Sequence, residues 1–175
     1  MARAFVSIGS NINPAENVRK AIHRLALQVR VAGISTVYLT EAEGRPEQPP
    51  YYNCVVEIET EARPVELKHQ VLRRIEEDLG RERGEDKYAP RPIDLDLIVY
   101  DDLVMETSDL TLPDPQILHR PFLAVPLHEL APELTLSGLN RRIEEVAAGL
   151  PRGSMKPLES YTERLRRAIR HEPRY

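Results

Sequence analysis

The apolar-rich run Arg3 to Ile8 reads as a short strand, and Gly9-Ser10-Asn11 as the turn that ends it. Asn13-Pro14 gives a helix start, with Asn at the cap and Pro at the first helical position. Val18, Ile22, Leu25, Ala26 and Val29 recur at helical spacing, and Gly33 is expected to break that helix before a β-rich run from Ile34 to Thr40. Residues 41 to 50, EAEGRPEQPP, lack periodicity and read as a loop. Tyr52 to Thr60 alternates as a strand, with Glu57 and Glu59 expected to be exposed. Pro64 opens a second helix with Leu67, Val71, Leu72, Ile75 and Leu79 on one face, and Gly80 ends it. A charged loop over 81 to 92 leads into the strand Ile93 to Tyr100.

The order β-α-β-β-α-β predicts an α+β, ferredoxin-like core, an antiparallel sheet with both helices on one face. Two short β-rich pieces follow, Leu103 to Met105 and Leu110 to Leu112, then a proline-rich loop. Helices are expected around Phe122 to Leu130, near Leu139 to Ala148, and as a basic terminal segment from Tyr161 to Arg170. The expected organisation is one domain over 1–150 with a helical C-terminal extension, 151–175, packed on it. For that extension a solvated helix held by Leu158, Leu165 and Ile169 is favoured over a partner site.

At 175 residues, 41% apolar and 30% charged, the chain fits a single globular domain rather than a disordered one. Its apolar stretches fall far short of the roughly 20 residues of a membrane span. The opening MARAFVSIGSN lacks a signal-peptide core, so a cytoplasmic location is expected. One cysteine excludes an internal disulfide, and the strand setting of Cys54 predicts a small buried hydrophobe. His23, His69, His119, His128 and His171 show no zinc-ligand spacing. The net charge of −4 gives no overall attraction to nucleic acid or anionic membrane, so phosphate binding must be local.

Asp94-Leu95-Asp96 supplies the first local chemistry. On a strand the two carboxylates share a face, about 6.6 Å apart at Cα, where both can serve one hard cation or a close pair. Just before them come Arg81, Arg83, Lys87 and Arg91, donors matched to phosphate oxygens. Tyr51 and Phe122 can bracket a planar ring, and the amide of Asn53 can read an edge mixing N and N–H.

Several blocks then match a known family in order and spacing: Ser7 to Asn11, the run from Thr40 through Gln48-Pro49 to Asn53, Ile75-Glu76 with Gly80-Arg81, Pro90 to Asp96, and Arg120 to Leu123. On these the chain resembles the 6-hydroxymethyl-7,8-dihydropterin pyrophosphokinases over about residues 5 to 135. The resemblance implies pyrophosphate transfer from ATP, the co-substrate, to the hydroxymethyl group of the pterin, with AMP leaving. It implies two Mg²⁺ ions on Asp94 and Asp96, and phosphate contacts from Arg81 and Arg91 with Arg83 nearby and Tyr88 closing over. Glu76, Arg120 and backbone near Leu97 and Thr111 would seat ATP. Tyr51 and Phe122 would sandwich the pterin, whose edge Asn53 and backbone near Thr40 and Glu43 would bind. The implied partners are these small molecules alone, taken up by a monomer.

Three positions depart from the family pattern: Asp114 replaces a common His, Ala42 a common Pro, and the segment from about Ser154 runs past the usual end. One rival is a nucleic-acid-binding module, disfavoured by strands carrying Glu57, Glu59, Asp94 and Asp96. Another is a family member that binds nucleotide without turnover, motivated by Asp114.

Overall fold

The structure is a computed structural model that describes residues 1–170; His171 and the rest of 171–175 lie outside the described residues. Strand β1 (Ala2–Ser10) leads through Asn13 and Pro14 into α1 (Pro14–Ala26), then β2 (Arg30–Ile34), β3 (Tyr38–Thr40) and β4 (Tyr51–Thr60). Helix α2 (Pro64–Glu66) widens to π geometry over Leu67–Leu72 and returns to α-helix as α3 (Arg73–Asp78), ahead of β5 (Asp94–Tyr100). A small hairpin, β6 (Met105–Glu106) and β7 (Thr111–Leu112), precedes a 3-10 turn (Pro115–Leu118) and α4 (Pro121–Leu130). A second hairpin, β8 (Thr135–Leu136) and β9 (Arg141–Arg142), leads to α5 (Ile143–Gly149), β10 (Lys156–Pro157) and α6 (Glu159–Arg170).

The main sheet has the order β10-β3-β4-β1-β5, with β2 also on β4, and its pairings are antiparallel. This is the expected ferredoxin-like arrangement. Alternation along the strands sends Ala4, Val6, Ile8, Val56, Ile58, Leu95 and Leu97 to one face, where α1 and the Pro64–Asp78 helix bury them. Cys54 belongs to this core, and burial pushes its thiol up to about 12, so it behaves as the expected small hydrophobe.

The opposite face is divided. Phe5, Val55, Ile98 and Val99 are buried there beneath α4 and α5. Farther along, Gly9 of β1 pairs with Asn53 of β4 and with Asp94 of β5, while Ser7 pairs with Val55 and Asp96. That polar end of the same face carries no helix. It is where the site forms.

Three local expectations are corrected. Helix α1 stops at Ala26 rather than running to Gly33, because Gln28 and Val29 fold back onto the Leu25 carbonyl and Arg30 already pairs with Glu59. Gly33 thus lies inside β2, past a register shift after Val31. The single strand expected from Ile34 to Thr40 is interrupted: Ser35 to Val37 separates β2 from β3. Glu57 and Glu59 are half-buried rather than exposed, since Arg3 and Arg30 lie against them in ion pairs of 2.7 and 2.6 Å.

Candidate active site

A cleft of about 370 Å³ stands over the bare end of the sheet. Its floor depends on Gly9, where a Cβ would come within 2.8 Å of Asn53 Oδ1 and 3.7 Å of the Tyr51 ring. An added Cβ would displace the Asn53 amide, whereas its distance to the Tyr51 ring is ordinary contact. The Asn53 amide is oriented by Thr40: Nδ2 donates to Thr40 Oγ1 at 2.7 Å, which leaves Oδ1 beside Gly9. Phe122 lines the cleft from the first turn of α4. The Arg120 guanidinium lies 5.7 Å from that ring and forms a 2.8 Å ion pair with Glu43 across the cleft mouth. Thr40, Glu43, Tyr51, Asn53 and Phe122, dispersed over 83 positions of sequence numbering, thus line one space.

At the acidic end, Gly80 (φ +90) closes α3 in the left-handed conformation. The Arg81 N–H reaches back to the Glu76 carbonyl at 3.0 Å and Gly80 N–H to Glu77 at 3.0 Å, a Schellman closure. This reversal carries the Arg81 side chain onto Glu76 and, at 2.6 Å, onto Asp94. Arg91 holds the other Asp94 oxygen at 2.8 Å. Burial alone would raise Asp94, but the two guanidinium groups hold its carboxyl below the ordinary value. Glu76 is fully buried, and that desolvation raises it despite Arg81, Arg83 and an N–H from Leu95 at 3.0 Å.

Asp96 differs. Among the described residues no hydrogen bond or ion pair reaches its carboxylate. Its carboxyl group is exposed toward the cleft, yet protein walls its other sides. That enclosure, then the like charges of Asp94, Glu76 and Asp114, push it up to about 8. A carboxylate in this setting invites a cation. Among the described residues no cage of three or more His, Cys, Asp or Glu side chains forms. Two neighbouring carboxylates such as Asp94 and Asp96 are the number that magnesium commonly uses, its shell being completed by water and phosphate oxygens.

The two loops meet above the cleft. Asn11 Oδ1 accepts the Arg91 N–H at 2.7 Å, while its Nδ2 donates to Gln48 Oε1 and the Pro49 carbonyl at 3.3 and 3.2 Å. Gln48 donates to the Tyr88 carbonyl at 2.7 Å, and Arg45 pairs with Asp86 at 2.7 Å. A side chain at Gly44 (φ +77) would meet the Tyr88 ring at 3.0 Å.

A second cleft of about 280 Å³ shares Asp96 and Asp114 with the first. Leu97, Thr111 and Lys68 line it. Asp114 caps the 3-10 turn by accepting the Gln116 N–H at 2.9 Å.

The structure thus brings together the residues expected to bind the ring and divides those expected to bind the nucleotide. Leu97 and Thr111 line the second cleft, whereas Tyr88 and Arg120 line the first. Glu76 and Arg81 stand behind Asp94 as a buried pair, and the exposed Arg83 reaches Glu76 from the loop. Sequence reasoning assigned no role to Asn11, Gln48 or Lys68; the first two stand in matched blocks, which was the one signal for them.

Comparison with known proteins places this site in context. The sequence profile described as 7,8-dihydro-6-hydroxymethylpterin-pyrophosphokinase (HPPK) matches residues 5–132. A 2-amino-4-hydroxy-6-hydroxymethyldihydropteridine pyrophosphokinase from Synechocystis is 46% identical over 136 residues, covering 74% of this chain and 67% of the relative. One from Haemophilus influenzae is 36% identical, covering 78% and 86%. The wild-type HPPK-DHPS crystal structure of Plasmodium falciparum superposes with a TM-score of 0.67 at 14% identity, covering 84% of this chain. This chain spans 44% of that longer protein, and the likeness concerns the fold.

Proposed function

The chain belongs to the 7,8-dihydro-6-hydroxymethylpterin-pyrophosphokinase family, and from that premise we propose how its cleft transfers pyrophosphate from ATP to 6-hydroxymethyl-7,8-dihydropterin. The observation that carries the reading is the row Asn53–Gly9–Asp94 across three paired strands. It sets a ring-reading amide and a phosphate-side carboxylate two strand spacings apart, roughly 9.6 Å, on one face. The glycine between them leaves room for a hydroxymethyl group.

The pterin ring lies between Tyr51 and Phe122, with its edge on Asn53 and the backbone near Thr40 and Glu43. ATP lies across the shared Asp96–Asp114 boundary toward Leu97 and Thr111. Two magnesium ions held by Asp94 and Asp96 would supply positive charge for the phosphates and for the attacking hydroxyl. Arg81 and Arg91 keep Asp94 ionised before ligands arrive, and Arg91, which lines the cleft, presents guanidinium donors to the phosphates. The hydroxymethyl oxygen forms a bond to the β-phosphorus, the bond from that phosphorus to the α-phosphate oxygen breaks, and AMP leaves with the electron pair. The hydroxyl proton passes to solvent. No side chain need act as a covalent participant, because such transfers are accelerated by positioning and charge neutralisation. Contact between the loops at Tyr88, Gln48 and Asn11 excludes water, which would otherwise hydrolyse ATP. The same reading makes the protein a cytoplasmic monomer acting in folate biosynthesis.

Incubation with ATP, magnesium and the hydroxymethyl pterin tests this directly. AMP and the pterin diphosphate ester should form in equal amounts, and only with all three present. Release of ADP, or AMP without the pterin, would overturn the reading.

A further inference from the structure

The segment after Gly153 reaches the pterin side of the cleft without lining it. Its strand β10 pairs with the outer edge of β3, Lys156 opposite Leu39 and Pro157 opposite Tyr38. Just before β3, both backbone groups of Val37 are satisfied by the segment: the Leu158 N–H donates to the Val37 carbonyl at 2.8 Å, and the Val37 N–H donates to Thr162 Oγ1 at 2.9 Å. Just after β3, the Glu41 N–H donates to Ser154 Oγ at 3.3 Å. Strand β3 is thus held before, beside and behind by one stretch of chain.

Thr162 is the centre of this arrangement. It is 2% exposed, and its hydroxyl accepts from Val37 while donating to the Leu158 carbonyl at 2.8 Å. A buried N–H left without a partner is costly, so this hydroxyl fixes where the chain enters β3. Around it, Arg166 Nε donates to the Ile34 carbonyl at 2.9 Å, and the Tyr161 ring meets Tyr52 edge-on at 5.3 Å. Three residues beyond Val37, Thr40 Oγ1 accepts from Asn53 and sets the direction of its amide.

We infer that the segment from Ser154 to Arg170 positions the pterin-reading wall, and that Thr162 is a positioning residue for substrate binding, acting through Val37, β3 and Thr40 on Asn53. The inference rests on the functional reading above and deepens it: the extension tunes affinity for the ring and leaves the nucleotide side untouched. The distinction follows from geometry, since the segment contacts α1, β2, β3 and the first loop, whereas Leu97 lies on β5 at the opposite edge of the sheet and Thr111 on β7 beside it.

The experiment measures pterin binding, in the presence of magnesium and a non-hydrolysable ATP analogue, and nucleotide binding separately, for full-length variants. Thr162→Val keeps the shape and removes the hydroxyl; it should weaken pterin binding about tenfold, the scale of one unpaired buried group, and leave nucleotide binding within about twofold. Thr162→Ser should restore pterin affinity to within about twofold of the parent. Ser154→Ala, at an exposed position outside the core, should weaken the pterin alone by about fivefold, the scale of one net hydrogen bond, and keeps the test open if the valine variant does not fold. Unchanged pterin affinity in the foldable variants, equal losses for both ligands, or no rescue by serine would overturn the positioning role. If the parent chain binds nucleotide but no pterin, the functional reading itself fails, an outcome separate from these.

Discussion

Two ends of one sheet face share strands, twist and backbone pairing, yet one is core and the other is a site. On the covered end Phe5, Val55, Ile98 and Val99 are buried beneath α4 and α5. On the bare end the same three strands present Ser7, Gly9, Asn53, Asp94 and Asp96. The backbone is equally satisfied at both ends, so the difference lies in the side chains. An apolar end gains by recruiting helices; an end carrying two carboxylates and an amide would incur a desolvation cost if a helix covered it. The chain crosses from one regime to the other within about two residues of each strand.

That contrast is open to attack, beginning with the strongest effect. Asp96→Asn should lower turnover roughly a thousandfold, the scale of losing one preorganised electrostatic partner, while circular dichroism stays that of the parent. Near-normal turnover with magnesium would remove Asp96 from the mechanism. The mirror substitution on the covered end, Ile98→Ala, should cost about 3 kcal/mol in denaturant unfolding and leave kcat/KM within about twofold. A large kinetic loss there would show that the two ends are not separable. Between them stands Gly9→Ala, whose Cβ falls on Asn53 Oδ1; KM for the pterin should rise about tenfold or more, with the nucleotide KM unchanged. Equal losses for both substrates would place the disturbance elsewhere.

The smallest effect is a pH dependence. Because the Asp96 carboxyl sits near 8 in the folded chain against an ordinary 3.8, the folded state binds that proton more tightly than the unfolded state. Its stabilising contribution is complete below about pH 4, declines through the interval and is gone above about pH 8. Metal-free Asp96→Asn should therefore lose less stability than the parent between pH 5 and pH 9, by about 1 kcal/mol. The figure is well below the full linkage because the carboxylate faces cleft water. Parallel curves for the two proteins, followed by urea midpoints, would show that Asp96 titrates as an ordinary surface acid.

The amino-acid sequence by itself determined the β-α-β-β-α-β order, the shared face of Asp94 and Asp96, and the glycine that closes α3. These are consequences of period, handedness and local sterics, which act between near neighbours. Only the tertiary structure decided the rest. Gly9, expected in a turn, instead lies within β1 between Asn53 and Asp94. Arg81 stands behind Asp94 because Gly80 reverses the chain beside a buried Glu76; Ser35 to Val37 split a strand where Ser35 Oγ takes the Val55 N–H and Thr162, 125 positions after Val37, accepts the Val37 N–H. Which half of the face α4 and α5 cover was equally hidden, since burial of that kind depends on what lies opposite, and a linear pattern records only that a residue is apolar.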